Sequence, residues 1–389
     1  MKICFISTMA GEAWGGSEEL WTRTARLALE RGHRVALVTC RWPEIPPGIR
    51  DLQRRGARLF RVNRARHWLG PHLPLQRCKR AFQWFVSPWG ILASWRPDLV
   101  CISHGTTFEY MKHWWNWPLV RFVSKVGADY VVISQHNFEG PGLESEAERQ
   151  EAMPYLLGAR RVAFVAERNL RDAERQLAVD LPNACVVRNP VNLAEFEVVA
   201  WPESDIVKMA CVARLDLAFK GQDVLLQALG GEEWQRRRWL LRFYGAGRDR
   251  PFLERLAQKY GIAERIEFCG HVRDIRSVWA DNHLLVLPSR SEGTPLSLVE
   301  AMICGRPAVV TDVGGNLEWI DERATGFVAD APSPRSLAHA LERAWEAVDS
   351  WEAIGQRAHQ VARSQVDPNP EETVLSLLVE DRVPCEVPA

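Results

Sequence analysis

The chain has 389 residues, of which 47% are hydrophobic, so it is long enough and apolar enough to build more than one core. Two domains are therefore expected. Lysine and arginine together number 49, as do aspartate and glutamate, which gives a formal net charge of zero. A neutral chain produces no overall field that attracts nucleic acid, so we expect no nucleic-acid partner.

Nine cysteines are scattered along the chain without any Cys-x-x-Cys pair. Many lie in apolar runs, which is typical of small buried side chains in a reducing compartment. The first residues have the pattern of a buried strand rather than of a signal peptide. No apolar run approaches the roughly 20 residues that span a bilayer. The sequence thus predicts a cytoplasmic protein that is soluble or lies on a membrane surface.

The N-terminal half alternates helix-like and strand-like runs. A helix-like stretch covers residues 17–30, among apolar runs typical of buried strands at 2–8, 34–40, 98–103, 130–135 and 161–166. This alternation predicts βαβ units and a parallel sheet, because parallel neighbours need a crossover connection between them.

Proline-containing segments at 187–192 and 201–205 interrupt the pattern, and we place the domain linker there. A second alternation follows, with strands at 206–213, 239–244, 265–269, 283–287 and 307–311 and helices from about 221, from about 251 and over 295–304. We expect two doubly wound Rossmann-like α/β domains facing a central cleft. Their predicted bounds are 1–195 and 203–365. Residues 366–389 form a tail with one helix over 371–380, which we expect to pack back toward the N-terminal domain.

The strongest chemical signal is the segment 289–302, Ser-Arg-Ser-Glu-Gly-Thr-Pro-Leu-Ser-Leu-Val-Glu-Ala-Met. It follows an apolar strand and opens a helix near Pro295. The free N–H groups of a helix start suit a diphosphate. We place the diphosphate at the segment Gly293, Thr294, Pro295 and Leu296, in which Pro295 itself has no N–H to donate. Carboxylates accept hydrogen bonds from hydroxyl pairs, so Glu292 could hold a sugar and Glu300 a ribose. The alternative is a solvated surface helix with incidental glutamates.

This segment, with Glu292 and Glu300 eight positions apart, resembles the signature of the retaining glycosyltransferases of the GT-B fold, often called glycosyltransferase family four. Seven further pieces occur in the family's order and at similar spacing across both predicted domains. They are Gly15-Gly16-Ser17-Glu18, 96–100 (Arg-Pro-Asp-Leu-Val), His136, Val212-Ala213-Arg214, Lys220-Gly221-Gln222-Asp223, 244–247 (Tyr-Gly-Ala-Gly) and 268–272 (Phe-Cys-Gly-His-Val).

The resemblance implies that Arg214 and Lys220 form the family's phosphate-binding pair. A departing nucleoside diphosphate gains negative charge, and fixed cations stabilise that charge. We find no Asp-x-Asp motif at a strand end of the predicted cleft, so we expect metal-independent catalysis without a cofactor. Alternatively, Arg214 is a surface cation and Lys220 a helix-entry residue.

The resemblance also implies roles for small and basic residues in turns. Gly15 and Gly16 allow close approach to phosphate or sugar, and Gly245 lies in a comparable turn, although each could belong to an ordinary tight turn. His136 ends a predicted strand and matches the family's active-site histidine. The residue after it is often acidic in the family and is Asn137 here, so this sequence departs from the family pattern at the histidine's partner. His104 also ends a strand, and a structural role is equally open to it.

The acceptor is less defined. Ten basic residues against one acid, Asp51, lie between positions 50 and 80, and they could contact an anionic membrane or a lipid-linked diphosphate, or form a solvated helix face. The aromatic cluster at 112–117 could stack on acceptor sugar, but core packing is favoured. The basic residues are Arg50, Arg54, Arg55, Arg58, Arg61, Arg64, Arg66, Arg77, Lys79 and Arg80.

Together these features predict a retaining glycosyltransferase that moves a sugar from a nucleoside diphosphate sugar to a saccharide or lipid-linked acceptor, in cell-surface polysaccharide or glycolipid synthesis. His136, Arg214, Lys220 and Glu292 are the expected catalytic residues. Alternatives are a non-catalytic sugar-nucleotide-binding protein or a sugar-nucleotide epimerase on the same fold. A nicotinamide-dependent dehydrogenase is a weaker alternative, because the Gly-x-Gly turn at 245–247 lacks the third glycine of a dinucleotide fingerprint.

Overall fold

The computed structural model of the chain describes residues 1–9, 13–62, 88–109, 119, 122–123, 126–140, 142–143 and 145–380. Contacts divide the chain into two units. The first unit is Met1–Pro190 together with the C-terminal segment from Asp367, and the second is Val191–Val366. None of the helices in the described ranges combines the length and the apolar character that crossing a membrane requires.

The first unit is built on a seven-stranded sheet in which all neighbouring strands are parallel, in the order β3-β2-β1-β4-β5-β6-β7. Strand β1 lies near the centre and pairs on both sides, with Ile3 opposite Val35 and Leu99. The strands are β1 (Lys2–Ser7), β2 (Arg34–Cys40), β3 (Arg58–Val62), β4 (Leu99–His104), β5 (Asp129–Ser134), β6 (Arg161–Phe164) and β7 (Ala184–Val186).

Both faces of this sheet are buried, because alternate residues of β1 enter two separate apolar clusters. Helices α1 (Gly16–Glu30) and α2 (Pro47–Arg54) cover one face, and α3 (Pro88–Trp95), α4 (Glu146–Leu157) and α5 (Glu167–Leu177) cover the other. The C-terminal helix, named α14 below, spans Pro370–Val379. It packs in the same cluster as α1 through Val374, Leu375, Leu377 and Leu378.

The second unit contains a six-stranded parallel sheet in the order β10-β9-β8-β11-β12-β13. Its strands are β8 (Val207–Val212), β9 (Trp239–Tyr244), β10 (Ile266–Gly270), β11 (Leu284–Leu287), β12 (Ala308–Thr311) and β13 (Gly326–Ala329). The strands of this sheet are rich in Val, Leu and Ala, as expected for parallel strands that are buried on both faces.

Eight helices of the second unit precede α14. They are α6 (Leu217–Lys220), α7 (Gln222–Leu229), α8 (Glu232–Arg236), α9 (Arg250–Lys259), α10 (Ile275–Ala280), α11 (Leu296–Ile303), α12 (Pro334–Glu346) and α13 (Trp351–Gln365), and the short 3-10 turns are 263–265, 314–318 and 348–350. One apolar cluster includes α7, α9 and α12, and the other includes α10 and α11.

These two parallel sheets with their helices confirm the predicted pair of doubly wound α/β domains. The sequence analysis did not identify β3, β7 or β13. Strand β7 has only three residues, β13 begins with glycine, and β3 carries two arginines, so none of them forms the long apolar run by which the other strands were found.

Candidate functional site

The predicted nucleotide site lies at the carboxyl edge of the second sheet, where the strand order reverses. Strand β8 pairs with β11 on one side and with β9 on the other. The connections after β8 and β11 therefore leave the sheet in opposite directions, and this is where ligands bind in open α/β sheets. The chain reaches Arg214 and Lys220 after β8, and Glu292 after β11.

Lys220 and Glu292, 72 positions apart in the sequence, meet at this edge. The Lys220 ammonium donates to Glu292 Oε1 at 2.6 Å, and the Ser289 hydroxyl donates to the same oxygen at 2.6 Å. Glu292 is 6% exposed, so the charge of Lys220 offsets the loss of water around the carboxylate. Both of these hydrogen bonds end on Oε1, and within the part of the chain that the structure describes Oε2 forms none. Oε2 can therefore accept a hydrogen bond from a hydroxyl group of a ligand.

A 3-10 turn, Gly314–Glu318, holds the Glu292 loop from the side of β12. Gly314 has a φ of 52°, and a Cβ at this position would overlap the carbonyl oxygen of Glu292. The Gly315 N–H donates to the Gly293 carbonyl at 2.8 Å. The sequence analysis assigned no role to these two glycines. A Gly-Gly pair shortly after a buried strand is the signal that could have found them.

Helix α11 begins at Leu296, one residue later than predicted, with Pro295 at the N-cap. Pro295 provides no side-chain cap, so the first N–H groups of α11 are available to an anion. Thr294 is 8% exposed at this helix start. Glu300 lies inside the helix and is 4% exposed, and burial raises its pKa to about 7, opposed by a hydrogen bond to the backbone of Asn192. At neutral pH the Glu300 side chain is therefore protonated in part of the molecules and ionised in the rest.

Arg214 follows β8 and is 43% exposed, with Nη2 at 3.9 Å from Asp216 Oδ2. Its backbone is fixed from two sides. The Gln222 side chain donates to the Arg214 carbonyl at 2.6 Å, and Gly245 packs so closely that a Cβ there would overlap the carbonyl oxygen of Ala213. A Cβ on Gly247 would overlap the carbonyl oxygen of Leu215 in the same way. The close approach of the segments that follow β8 and β9 therefore explains both glycines of the Gly-x-Gly turn.

In the first unit, the predicted residues lie after the carboxyl ends of β1 and β5. Gly15 is the N-cap of α1 and Gly16 its first residue. Among the described residues, a Cβ on Gly15 would meet only Ser17 Oγ, at 3.9 Å, so the packing of these residues does not require glycine there. His136 is half-buried, and its ring stands edge-on to Phe138 at 4.8 Å between centroids. Asn137 is buried and donates to Gln176 at 2.9 Å, so its side chain is engaged in the fold.

A polar network fills the carboxyl edge of β1 and β4. His104 is fully buried, contacts the Tyr155 hydroxyl at 2.8 Å and the Thr8 hydroxyl at 3.2 Å, and burial lowers its pKa to about 3. The Thr8 hydroxyl also donates to Glu109 at 3.0 Å. Neutral His104 thus joins two strand ends, which favours the structural role.

Glu18 is the second buried carboxyl group with a raised pKa. It lies in the first turn of α1, is 4% exposed, and accepts hydrogen bonds from Ser7 at 2.9 Å and from Trp21 at 3.0 Å. Burial raises its pKa to about 7, partly opposed by these two hydrogen bonds. The sequence analysis quoted Glu18 within a motif without giving it a role.

Known proteins resemble this chain in both sequence and fold. The profile of the family "Glycosyl transferases group 1" matches residues 207–347, which include Arg214, Lys220, Glu292 and Glu300. The crystal structure of Anabaena Alr3699/HepE in complex with UDP-glucose superposes with a TM-score of 0.71 and covers 97% of this chain and 98% of that chain, at 18% sequence identity. Residues 207–347 thus belong to the group 1 glycosyltransferases, and the chain as a whole has the GT-B fold.

Two curated relatives of the glycosyltransferase have names that point to glycolipid and polysaccharide synthesis. One of the subunits of the human phosphatidylinositol N-acetylglucosaminyltransferase is 23% identical over 88% of this chain and 68% of that protein. The Vi polysaccharide biosynthesis protein VipC/TviE of Salmonella typhi is 35% identical over 28% of this chain, but over only 18% of its own length.

The basic segment of the glycosyltransferase is described only in part. Arg50, Arg54, Arg55, Arg58 and Arg61 lie in or beside α2 and β3, and Arg55 pairs with Asp51 at 2.9 Å and with Glu30 at 3.1 Å. The remaining basic residues, Arg64, Arg66, Arg77, Lys79 and Arg80, lie outside the described residues, as does the aromatic cluster at 112–117.

Within the described ranges of this glycosyltransferase, no group of three or more His, Cys, Asp or Glu side chains could hold a metal ion. Metal independence stays a prediction.

Proposed function

We propose that this glycosyltransferase transfers a sugar from a nucleoside diphosphate sugar, with retention of the anomeric configuration and without a metal ion, to a lipid-linked or saccharide acceptor. The observation that supports the donor site most strongly is the contact at 2.6 Å between Lys220 and Glu292. It brings together a cation that suits phosphate and a carboxylate that suits sugar hydroxyls, at the edge of the second sheet where the strand order reverses.

In the proposed reaction, Lys220 and Arg214 stabilise the negative charge that develops on the diphosphate as the glycosidic bond breaks. The N–H groups at the start of α11, together with Gly293 and Thr294, add donors on the same side of the site. Glu292 Oε2 accepts a hydrogen bond from a hydroxyl group of the transferred sugar, and the Glu300 carboxylate accepts hydrogen bonds from the ribose hydroxyls. Gly245 is proposed to shape this site further, and Gly15, Gly16 and His136 of the first unit are proposed to act in sugar transfer.

Uracil is the base we propose first, because the similar Anabaena protein was solved with UDP-glucose. The names of the two relatives support an acceptor in glycolipid or polysaccharide synthesis, which fits a cytoplasmic protein that contacts the anionic inner face of a membrane.

The test begins with isothermal titration of the purified protein with UDP, GDP, ADP, CMP and NAD. We expect binding of one nucleoside diphosphate, weakened in Glu300→Ala. The matching sugar nucleotide is then incubated with acceptor and followed by NMR, where retention gives a product with the donor's anomeric configuration, and EDTA should leave the rate unchanged.

Other outcomes of these experiments are equally informative. Binding of NAD alone would reject the proposal. An epimerised donor formed without acceptor would indicate an epimerase, and binding without turnover on any acceptor would indicate a sugar-nucleotide-binding protein.

A further inference from the structure

Each residue of the segment 220–223 contacts a different part of the second unit. Lys220 bonds to Glu292, the Gly221 backbone packs on the carbonyl of Pro288, and Gln222 bonds to the Arg214 carbonyl. The fourth residue, Asp223, binds none of the predicted donor-site residues. Its carboxylate forms a two-pronged ion pair with Arg290, with Nη1–Oδ1 at 2.7 Å and Nη2–Oδ2 at 2.8 Å.

The same arginine holds the short helix that carries Lys220. Arg290 Nη1 also donates to the Leu217 carbonyl at 2.7 Å, and its backbone N–H donates to the Phe219 carbonyl at 2.7 Å. Helix α6 has four residues, and a single turn of helix is not stable without tertiary contacts. Its position therefore depends on contacts such as these.

We propose that Arg290 and Asp223 form a positioning pair that sets Lys220 against Glu292 and thereby tunes the affinity for the diphosphate of the donor. This inference rests on the proposed function. Arg290 lies two residues before Glu292, and Asp223 lies three residues after Lys220, so the ion pair joins the two segments that supply the site. The planar guanidinium fork fixes both distance and angle, which a lysine at the same place cannot do.

The exposure of the pair favours positioning over stability as its main contribution. The side chains of Arg290 and Asp223 are 33% and 27% exposed. Ion pairs with this access to solvent contribute little to folding, because water screens them and the side chains lose conformational freedom. A small displacement of a binding group, in contrast, strongly weakens the interaction that it makes.

The second unit offers a matched control. Arg237 and Glu342 form an ion pair of the same two-pronged geometry at 2.8 and 2.6 Å, with 17% and 35% exposure. Arg237 precedes β9, so this pair lies at the amino edge of the sheet, away from the proposed site. Arg290→Lys and Arg237→Lys therefore each remove a two-pronged ion pair from the second unit, the first close to Lys220 and the second far from it.

The experiment measures the dissociation constant for UDP by titration calorimetry and the thermal midpoint of each variant. We expect Arg290→Lys and Asp223→Asn to weaken UDP binding at least about tenfold, and Arg237→Lys to change it less than about twofold. Because the Arg237 guanidinium also stacks on the rings of Trp234 and Trp345, at 4.7 and 4.9 Å, we expect the midpoint of Arg237→Lys to fall at least as far as that of Arg290→Lys. A loss of UDP affinity in Arg290→Lys alone is then not an effect of stability.

A double-mutant cycle tests whether Arg290 acts through Lys220. In the Lys220→Met background, Arg290→Lys should cause little further loss of UDP affinity. A full additional loss would mean that Arg290 binds the nucleotide itself, and unchanged affinity in the Arg290→Lys single variant would mean that the pair is only structural. Either result overturns the inference while leaving the proposed function intact. Failure of the wild-type protein to bind UDP or any other nucleoside diphosphate would instead reject the proposed function, and this inference with it.

Discussion

At the carboxyl ends of β8 and β11, an ammonium and a carboxylate meet at 2.6 Å, whereas the ends of β1 and β4 carry hydroxyl groups, a neutral imidazole and carboxyl groups. The strand order that surrounds both places is the same, with two strands on one side of the central strand and at least three on the other. One topology thus supplies two equivalent edges, and the charged side chains on the connecting segments decide which of them suits a diphosphate.

The largest effect that we expect concerns Glu292, which belongs only to the charged edge. Glu292→Gln keeps the shape of the side chain but removes its negative charge, so sugar transfer should fall about 100- to 1000-fold. UDP affinity should stay within about threefold, because Lys220 remains available to the phosphates. The variant is compared with wild type by initial rates at saturating donor and by calorimetry. Unchanged turnover would remove Glu292 from the site.

The two buried carboxyl groups allow a direct comparison of the edges. Burial raises the pKa of both Glu300 and Glu18 from 4.5 to about 7. The folded state therefore holds the proton more tightly than the unfolded state, and each group's stabilising contribution is complete below pH 4.5 and is lost as the pH rises to about 7. Glutamine does not titrate, so Glu300→Gln and Glu18→Gln do not lose this contribution. As the pH rises from 4.5 to about 7, the unfolding free energy of each variant should therefore increase relative to wild type by up to about 3 kcal/mol.

Urea denaturation at pH 4.5, 6 and 8 measures these differences. Saturating UDP should change the pH-dependent difference in unfolding free energy between Glu300→Gln and wild type, because Glu300 is proposed to contact the nucleotide. The corresponding difference for Glu18→Gln should stay the same. The same response from both residues would contradict the assignment of the nucleotide to the second unit.

Two glycines provide a smaller, opposite pair of effects. Gly245→Ala should lower the free energy of unfolding by about 2 kcal/mol, because the new Cβ overlaps the Ala213 carbonyl and the φ of 143° disfavours any side chain. Gly15→Ala should change stability by less than about 0.5 kcal/mol, because among the described residues the new Cβ makes only an ordinary contact with Ser17 Oγ at 3.9 Å.

If Gly15 contacts the donor, its variant should nevertheless lose sugar transfer while keeping its thermal midpoint. Full activity of Gly15→Ala would assign this glycine to an ordinary turn, which is the alternative that the sequence left open.

Sequence patterns predicted the features that are local in the chain. The buried strands on either side of Glu292 and Arg214 were found because parallel strands form continuous apolar runs. The contact between Lys220 and Glu292 could be expected only through the family resemblance, since nothing local links residues 72 positions apart. The packing of Gly314 on the Glu292 carbonyl and the pairing of Arg290 with Asp223 depend on tertiary approach, which spacing alone does not encode.

The burial of Glu300 and Glu18 is a further property that spacing does not give. Both residues occupy helix positions that a polar residue could place in solvent, and the amphipathic pattern of the helices does not distinguish a solvated glutamate from one directed into the fold. The raised pKa values follow from tertiary burial and therefore emerge only from the structure.

The measurement that tests the central claim most directly is titration calorimetry of UDP with the wild-type protein and with Lys220→Met. The account predicts saturable binding of one UDP per chain, weakened about 10- to 100-fold in the variant by loss of a charge-assisted contact to phosphate. Equal affinity in the two proteins would show that the ammonium beside Glu292 does not hold the diphosphate, and would contradict the assignment of the donor site to this edge of the second sheet.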